Sequence, residues 1–185
     1  DVTTTGFEFI AKYPGTLGNS LLVSFCPAAP TDDALIPQFD EWAYKAEFDA
    51  KPGTSDYASD RSCSNDEMHI AVIDEDGSWS GTAGTVLETF AFVSQASDAK
   101  SAQGTSNYYV DVLNGNSNYI WAGSAPTGLP QAGQTTATVL ADTTDLGDYA
   151  NSITAQDAVS ESLAAGADNN VPTVGEIQLG FDMFE

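Results

Sequence analysis

The sequence predicts a mainly β domain with a few short helices, in the α+β class, its strands antiparallel in a sandwich-like arrangement. Three observations predict it. Short apolar runs recur between clusters of Gly, Pro, Asn, Asp and Ser, the punctuation of strands and turns. Glu67 to Ile73 alternates cleanly and runs into Asp76-Gly77, a strong hairpin signal. The 185 residues are 42% hydrophobic and 10% aromatic, enough for a packed core rather than disorder.

Phe7 to Ile10 and Leu21 to Phe25 read as the first two strands. The link between them carries Pro14-Gly15, suited to a type II turn with positive φ at Gly15. Gly18-Asn19 then offers a second left-handed position. Pro27 to Asp33 is a loop. Residues 34–44 fit no period and hold at most one helical turn. Ala43 to Ala50 alternates Tyr44, Ala46 and Phe48 against Lys45, Glu47 and Asp49, which predicts a half-buried strand. From Lys51 to Asp66 the chain is a polar loop with one turn around Tyr57-Ala58.

The next strand places Met68, Ile70 and Val72 on one face, with Glu67 and His69 on the polar one. Its return partner is either Ser78-Trp79-Ser80 or the longer run Thr85 to Val93. Ser97 to Gly104 turns the chain. Ser106 to Leu113 predicts a short helix capped by Ser106 and broken at Asn114-Gly115-Asn116-Ser117. Asn118 to Trp121 is a short strand. Between 123 and 157 the composition shifts to Thr, Ala, Gly and Asp, which predicts a long, weakly packed excursion. Ala158 to Ala164 is one more strand and Gly166 to Asn170 a loop. Thr173 and Glu176 form a capping box, and Val174, Ile177, Phe181 and Phe184 share one helical face. We therefore divide the chain into a β-rich domain, 1–172, and the start of a helix, 173–185. The opening Asp1 to Thr5 has no initiator Met, and the expectation is a piece of a longer polypeptide.

Charge narrows the function classes. There are 27 acidic residues against five basic ones (Lys12, Lys45, Lys51, Arg61 and Lys100), a net charge of -22. That balance argues against a nucleic-acid backbone and an anionic membrane as partners, since both select clustered cations. A solvated acidic surface accounts for the charge better than calcium binding or adaptation to salt. Cys26 and Cys63 do not make a disulfide framework and are expected as free thiols.

Little in the sequence offers chemistry. His69 is the single histidine, so any zinc cluster or nucleophile–His pair would depend on a residue placed mid-strand. There is no G-x-S-x-G elbow and no phosphate-binding loop. Asp74-x-Asp76 begins like an EF-hand, but Trp79 stands where Gly is needed and Thr85 where a bidentate Glu is needed. No spacing singles out a carboxylate pair for glycoside hydrolysis. Trp42, Trp79 and Trp121, if exposed, would stack on sugars, although in a β-rich domain such residues are more often core or interface. The expectation is no catalytic, metal-binding or cofactor-binding residue and no enzyme activity.

Two blocks of residues resemble a known family. The first is Ala11-Lys12-Tyr13-Pro14-Gly15-Thr16-Leu17-Gly18-Asn19-Ser20-Leu21. The second starts at Glu67 to Gly77 and continues through Gly81 to Phe90, Val93-Ser94, Asp98-Ala99-Lys100, Ser106 to Leu113 and Ser117 to Trp121. Their order and spacing are similar to tail sheath proteins of contractile-tailed bacteriophages, over roughly residues 6–122. The capped helix from Thr173 resembles the start of the helix that leads into the sheath core, whereas 123–157 matches no part of that pattern. The resemblance implies the middle, outward-lying domain of a homo-oligomeric virion structural protein. Its implied partners are other sheath subunits and, through parts outside this chain, tail tube, baseplate and tail terminator. The alternative is an acidic carbohydrate- or calcium-binding β domain of an adhesin.

The charge leads directly to a test. With five cations available, most carboxylates have no partner, and their repulsion opposes the compact state. Raising salt from 0.01 to 0.1 M shortens the screening length from roughly 30 Å to about 10 Å. The melting temperature is expected to rise over that range, equally for sodium, potassium and magnesium at matched ionic strength. A rise that saturates at low concentration of one divalent ion would instead reveal a metal site.

Overall fold

The computed structural model describes residues 2–4, 7–28, 38–61, 65–123 and 158–168. Among these described residues seven strands form two antiparallel sheets. In the smaller sheet, β2 (Phe7–Ala11) lies between β1 (Val2–Thr4) and β6 (Ile120–Ala122). The larger sheet has the order β5-β4-β3-β7, built from β5 (Thr85–Ser94), β4 (Glu67–Asp74), β3 (Leu21–Pro27) and β7 (Val159–Ser162). Among the described residues three short helices, α1 (Gln38–Glu41), α2 (Asp56–Ser59) and α3 (Tyr109–Asn116), complete the mixed, strand-rich class.

The central pair is β3 and β4, in register from Leu21 opposite Asp74 to Pro27 opposite Met68. Both of its faces are buried. Val23, Phe25, Met68, Ile70 and Val72 face the smaller sheet and α3, where they meet Phe9, Tyr109, Leu113 and Ile120. Phe9 and Phe25 pack with ring centroids 6.2 Å apart. On the other face Cys26, Ala71 and Ile73 lie under Trp42 and Phe48 from the segment after α1. Cover on both sides accounts for the continuous apolar run Ile70 to Ile73, which the alternation at the start of β4 does not foretell.

The long alternative for the return strand is the one formed: β5 runs from Thr85, and residues 75–84 make the connection. The expected strand over Ala43 to Ala50 is absent. Lys45–Glu47 is a turn of 3-10 helix, and Trp42, Tyr44 and Phe48 gather over the sheet instead of alternating. Aromatic burial onto a neighbouring layer outweighs a local alternation too short to recruit a strand partner. The α3 helix begins at Tyr109 and passes through Asn114-Gly115 to Asn116. Ser106 is not its N-cap; its hydroxyl accepts from the Tyr108 N–H and donates to Asp111. The helix survives Gly115 because the Asn114 amide pairs with both backbone groups of Ala122, locking α3 to β6. The 123–157 excursion, Cys63 and the helix from Thr173 fall on residues outside the described ones, apart from Gly123.

The link between β2 and β3 also differs from expectation. Gly15 does take a positive φ, 95°, but with ψ at -170°, not near the 0° of a type II turn. Thr16–Ser20 is a 3-10 helix, and Gly18 within it is not left-handed. Glycine is required at 18 for a different reason. A Cβ there would lie 2.8 Å from the Ala11 Cβ and 3.1 Å from the Tyr13 carbonyl oxygen.

Gly18→Val is therefore expected to destabilise the fold by about 1–3 kcal/mol through overpacking. Gly115, by contrast, has open space around its α-carbon, so Gly115→Ala should stabilise by about 0.5–1 kcal/mol through helix propensity. Chemical denaturation of the two variants checks both signs.

Candidate functional site

Among the described residues the buried carboxylate and imidazole side chains are Asp66, Asp74 and His69, and each is committed to the fold. His69 is fully buried on the face of β4 opposite Met68 and Ile70, not on a polar surface as its alternation suggests. Phe48 stacks on its ring at 4.3 Å and Phe92 meets it edge-on at 4.6 Å. Its Nδ1 accepts the Phe92 N–H at 3.1 Å, so Nε2 carries the proton and donates to the Ala50 carbonyl at 2.7 Å. Burial pushes the imidazole pKa down, against the upward pull of the Ala50 carbonyl. A neutral ring with both nitrogens engaged is neither a base nor a metal ligand.

The reason for this arrangement lies in β5. Between the pairs Met68–Val93 and Ile70–Phe90 the ladder slips, leaving Ala91 and Phe92 opposite His69 as a bulge. Phe92 adopts φ 53°, rare for a bulky residue. Its backbone groups find side chains in place of the ladder: His69 takes the N–H, and the Asn107 amide donates to the carbonyl at 2.9 Å.

Asp66, also buried, accepts the Ser55 N–H at 2.8 Å, the Ser55 hydroxyl at 2.7 Å and the Ser94 hydroxyl at 2.6 Å. Ser55 in turn caps α2 through the Ala58 N–H, so Asp66 ties that helix to the end of β5. Asp74 closes β4 and organises the connection that follows. Its carboxylate accepts from the backbone N–H groups of Gly77, Trp79 and Ser80 and from the Ser80 hydroxyl. The Ser20 hydroxyl is shared between Asp74 and Asp76. Burial raises the Asp74 pKa, but these bonds, led by those from Ser80, outweigh it and bring it to about 2. The failed EF-hand pattern is thus a loop gathered around one carboxylate. Among the described residues no group of three or more His, Cys, Asp or Glu is placed to hold a metal ion, and no helix is long and apolar enough to cross a membrane. Cys26 is a free, buried thiol whose pKa burial pushes up to about 12.

The tryptophans separate. Trp42 is core, its Nε1 donating to the Ser24 hydroxyl at 2.8 Å. Trp79 is half-buried between the rings of Tyr13 and Tyr119. Trp121 alone is exposed, with the Lys12 ammonium 3.7 Å from its ring centroid. Beside it lies a groove between the opening turn and residues 163–166, lined by Ile10, Tyr13 and Pro14 on one side and Leu163 and Ala165 on the other. Side chains stitch its base. Asn19 both donates to the Gly166 carbonyl and accepts the Gly166 N–H, at 2.9 and 2.7 Å. Asp168 accepts the Thr16 N–H at 2.8 Å and the Thr16 hydroxyl. Sequence reasoning found the turn but not this partner, because nothing local signals a contact across about 150 residues. A scan against protein-family models and a search of curated proteins find no match to the chain.

Two variants test the roles of the buried groups. His69→Phe keeps the ring but removes the acceptor for Phe92, with an expected loss of about 1–3 kcal/mol. Because the folded pKa of His69 lies below its unfolded value of about 6.5, its protonation favours unfolding. Stability is therefore complete above that value and falls as the pH drops below it. His69→Phe should flatten that part of the profile. The Asp74 contribution is present above pH 3.8 and lost as pH falls toward about 2; Asp74→Asn should abolish that acid limb and lower the melting temperature at pH 7. Equilibrium denaturation as a function of pH reads both.

Proposed function

We propose that this chain is a sandwich-like structural module of a contractile phage tail sheath, its middle, outward-lying domain. It packs in a helical array of identical subunits around the tail tube, and it moves as a rigid body during genome delivery. The observation that carries this reading is that the residues behind the family resemblance interlock. Glu88 on β5 accepts from the Ser117 hydroxyl and from the Asn118 N–H and side-chain amide, at 2.7 to 2.8 Å. Ser20 in the first block reaches Asp74 and Asp76 in the second. Lys12 donates to the Ser117 carbonyl at 2.5 Å. Motif residues that hold one another support a mechanical role.

Head-to-tail contact between such modules generates open helical arrays, and contraction by subunit rotation requires modules that keep their shape. Under this reading the partners are other sheath subunits and the tail tube, baseplate and terminator proteins, within the virion.

Electron microscopy of the product of the complete gene tests the proposal. Striated tubes or contracted sheaths are expected. Dispersed particles whose melting temperature rises with calcium or a glycan would replace it with the adhesin reading, since a ligand of the native state stabilises that state.

A further inference from the structure

We infer that this domain associates head to tail with a second copy of itself, the apolar face around Trp121 and Lys12 of one copy meeting the acidic surface of residues 40–49 on the next. The two faces lie at opposite ends of one stack of layers. Phe9, Ile120 and Ala122 of the smaller sheet point into the core, so Ile10 and Trp121, paired across β2 and β6, look outward. On the far side of the larger sheet, Trp42 and Phe48 cover Cys26, Ala71 and Ile73. The segment that carries those two rings turns its charged residues to water.

The outward faces differ in chemistry. Ile10, Tyr13, Leu17 and Trp121 are the exposed large hydrophobics among the described residues. All four belong to β2, the turn after it, or β6, and clustered apolar exposure marks an interaction surface. The chain has 27 acidic residues, yet neither Phe9 to Ser20 nor Ser117 to Ala122 contains one, and Lys12 is the single charged residue in both stretches. Its ammonium lies over the Trp121 ring and donates to the Ser117 carbonyl, contacts that hold it in place without neutralising it. At the other end Asp40, Glu41, Glu47 and Asp49 are all exposed, against Lys45, whose ammonium is turned back onto the Asp40 carbonyl. Ala43, Ala46 and Ala50, also exposed, give that surface apolar ground between the charges.

Charge selects the partner and its orientation. A net charge of -22 keeps identical chains apart in most orientations. Joining two apolar ends would set Lys12 against Lys12, and joining two acidic ends would oppose carboxylates. Head to tail, the cation meets carboxylates while the Trp121 ring is desolvated, so complementary charge and apolar burial act together. A contact between two different faces repeats without closing. The inference deepens the proposed array and rests on that reading for the setting in which an open-ended contact is used.

Sedimentation velocity of the 185-residue chain tests it. The wild type is expected to form a concentration-dependent series that continues beyond the dimer. Trp121→Ser should weaken association at least about tenfold, and Lys12→Glu gives an independent variant of the same face. Glu47→Lys combined with Asp49→Lys should do the same from the other face. All are exposed positions, and melting temperatures close to wild type check that each variant is folded. Mixing fixes the geometry. Trp121→Ser keeps an intact acidic face and the double lysine variant an intact apolar one, so together they should form a one-to-one dimer that neither forms alone. A wild type that stays monomeric overturns the inference, as does a double lysine variant that self-associates as fully as wild type. Either result leaves the sheath reading to be decided by the tubes formed from the complete gene product.

Discussion

Strands β3 and β4 are covered on both faces, and from that constraint most of the polar architecture follows. A polar group on a doubly covered strand has no water to turn to and must find an internal partner. Ser24 bonds to Trp42 and Ser160, which joins the aromatic layer to the edge strand β7. His69 serves the bulge in β5. Asp74, at the end of the pair, gathers the connection to β5 and reaches back to Ser20. Each of these bonds has a modest net value, but leaving any one unmade exposes the whole desolvation penalty. The polar residues therefore help to fix the register of the central pair and the bulge in β5.

A second constraint is topological. The β7 strand returns from far along the chain to pair with β3, Val159 opposite Phe25, and Leu163 donates to the Leu21 carbonyl. Closing so long a loop is entropically unfavourable, and four strand residues alone offset little of it. Side chains in the opening turn supply the rest. Asn19 presents an amide that imitates a strand neighbour for Gly166, and a Cβ at 166 would lie 2.1 Å from the Gly15 carbonyl oxygen. The turn is thus less a connection between β2 and β3 than a clasp for residues 166–168.

Where burial imposed a pattern on the sequence, the fold was legible. The strands β2 to β5, β6 and β7 and the turn of α2 were read from apolar runs and turn residues, and the class was right. Three misreadings have one origin, reliance on local signals where tertiary contacts decide. Ala43 to Ala50 alternates but has no partner strand, so its aromatics fold over the sheet. Asn114-Gly115 is a breaker in isolation, yet Asn114 is held by Ala122. His69 follows the polar alternation of β4, and only the layer bearing Phe48 makes that face interior. The groove was invisible for the same reason, since its two walls are distant in sequence.

Charge and core divide the labour of the molecule. Most acidic side chains among the described residues are exposed or half-buried, while the buried carboxylates Asp66 and Asp74 are held by hydroxyl and backbone N–H dipoles. Dipoles fixed by the backbone hold an anion only in one geometry. The donors to Asp74 come from Ser20 and from residues 77–80, so one carboxylate ties the start of β3 and the 75–84 connection to the end of β4. In the proposed sheath, contraction rearranges contacts between subunits, and a module that yielded internally would dissipate the motion. Anions clamped in this way give the interior the stiffness such a role requires, and they do so without the cations this sequence lacks.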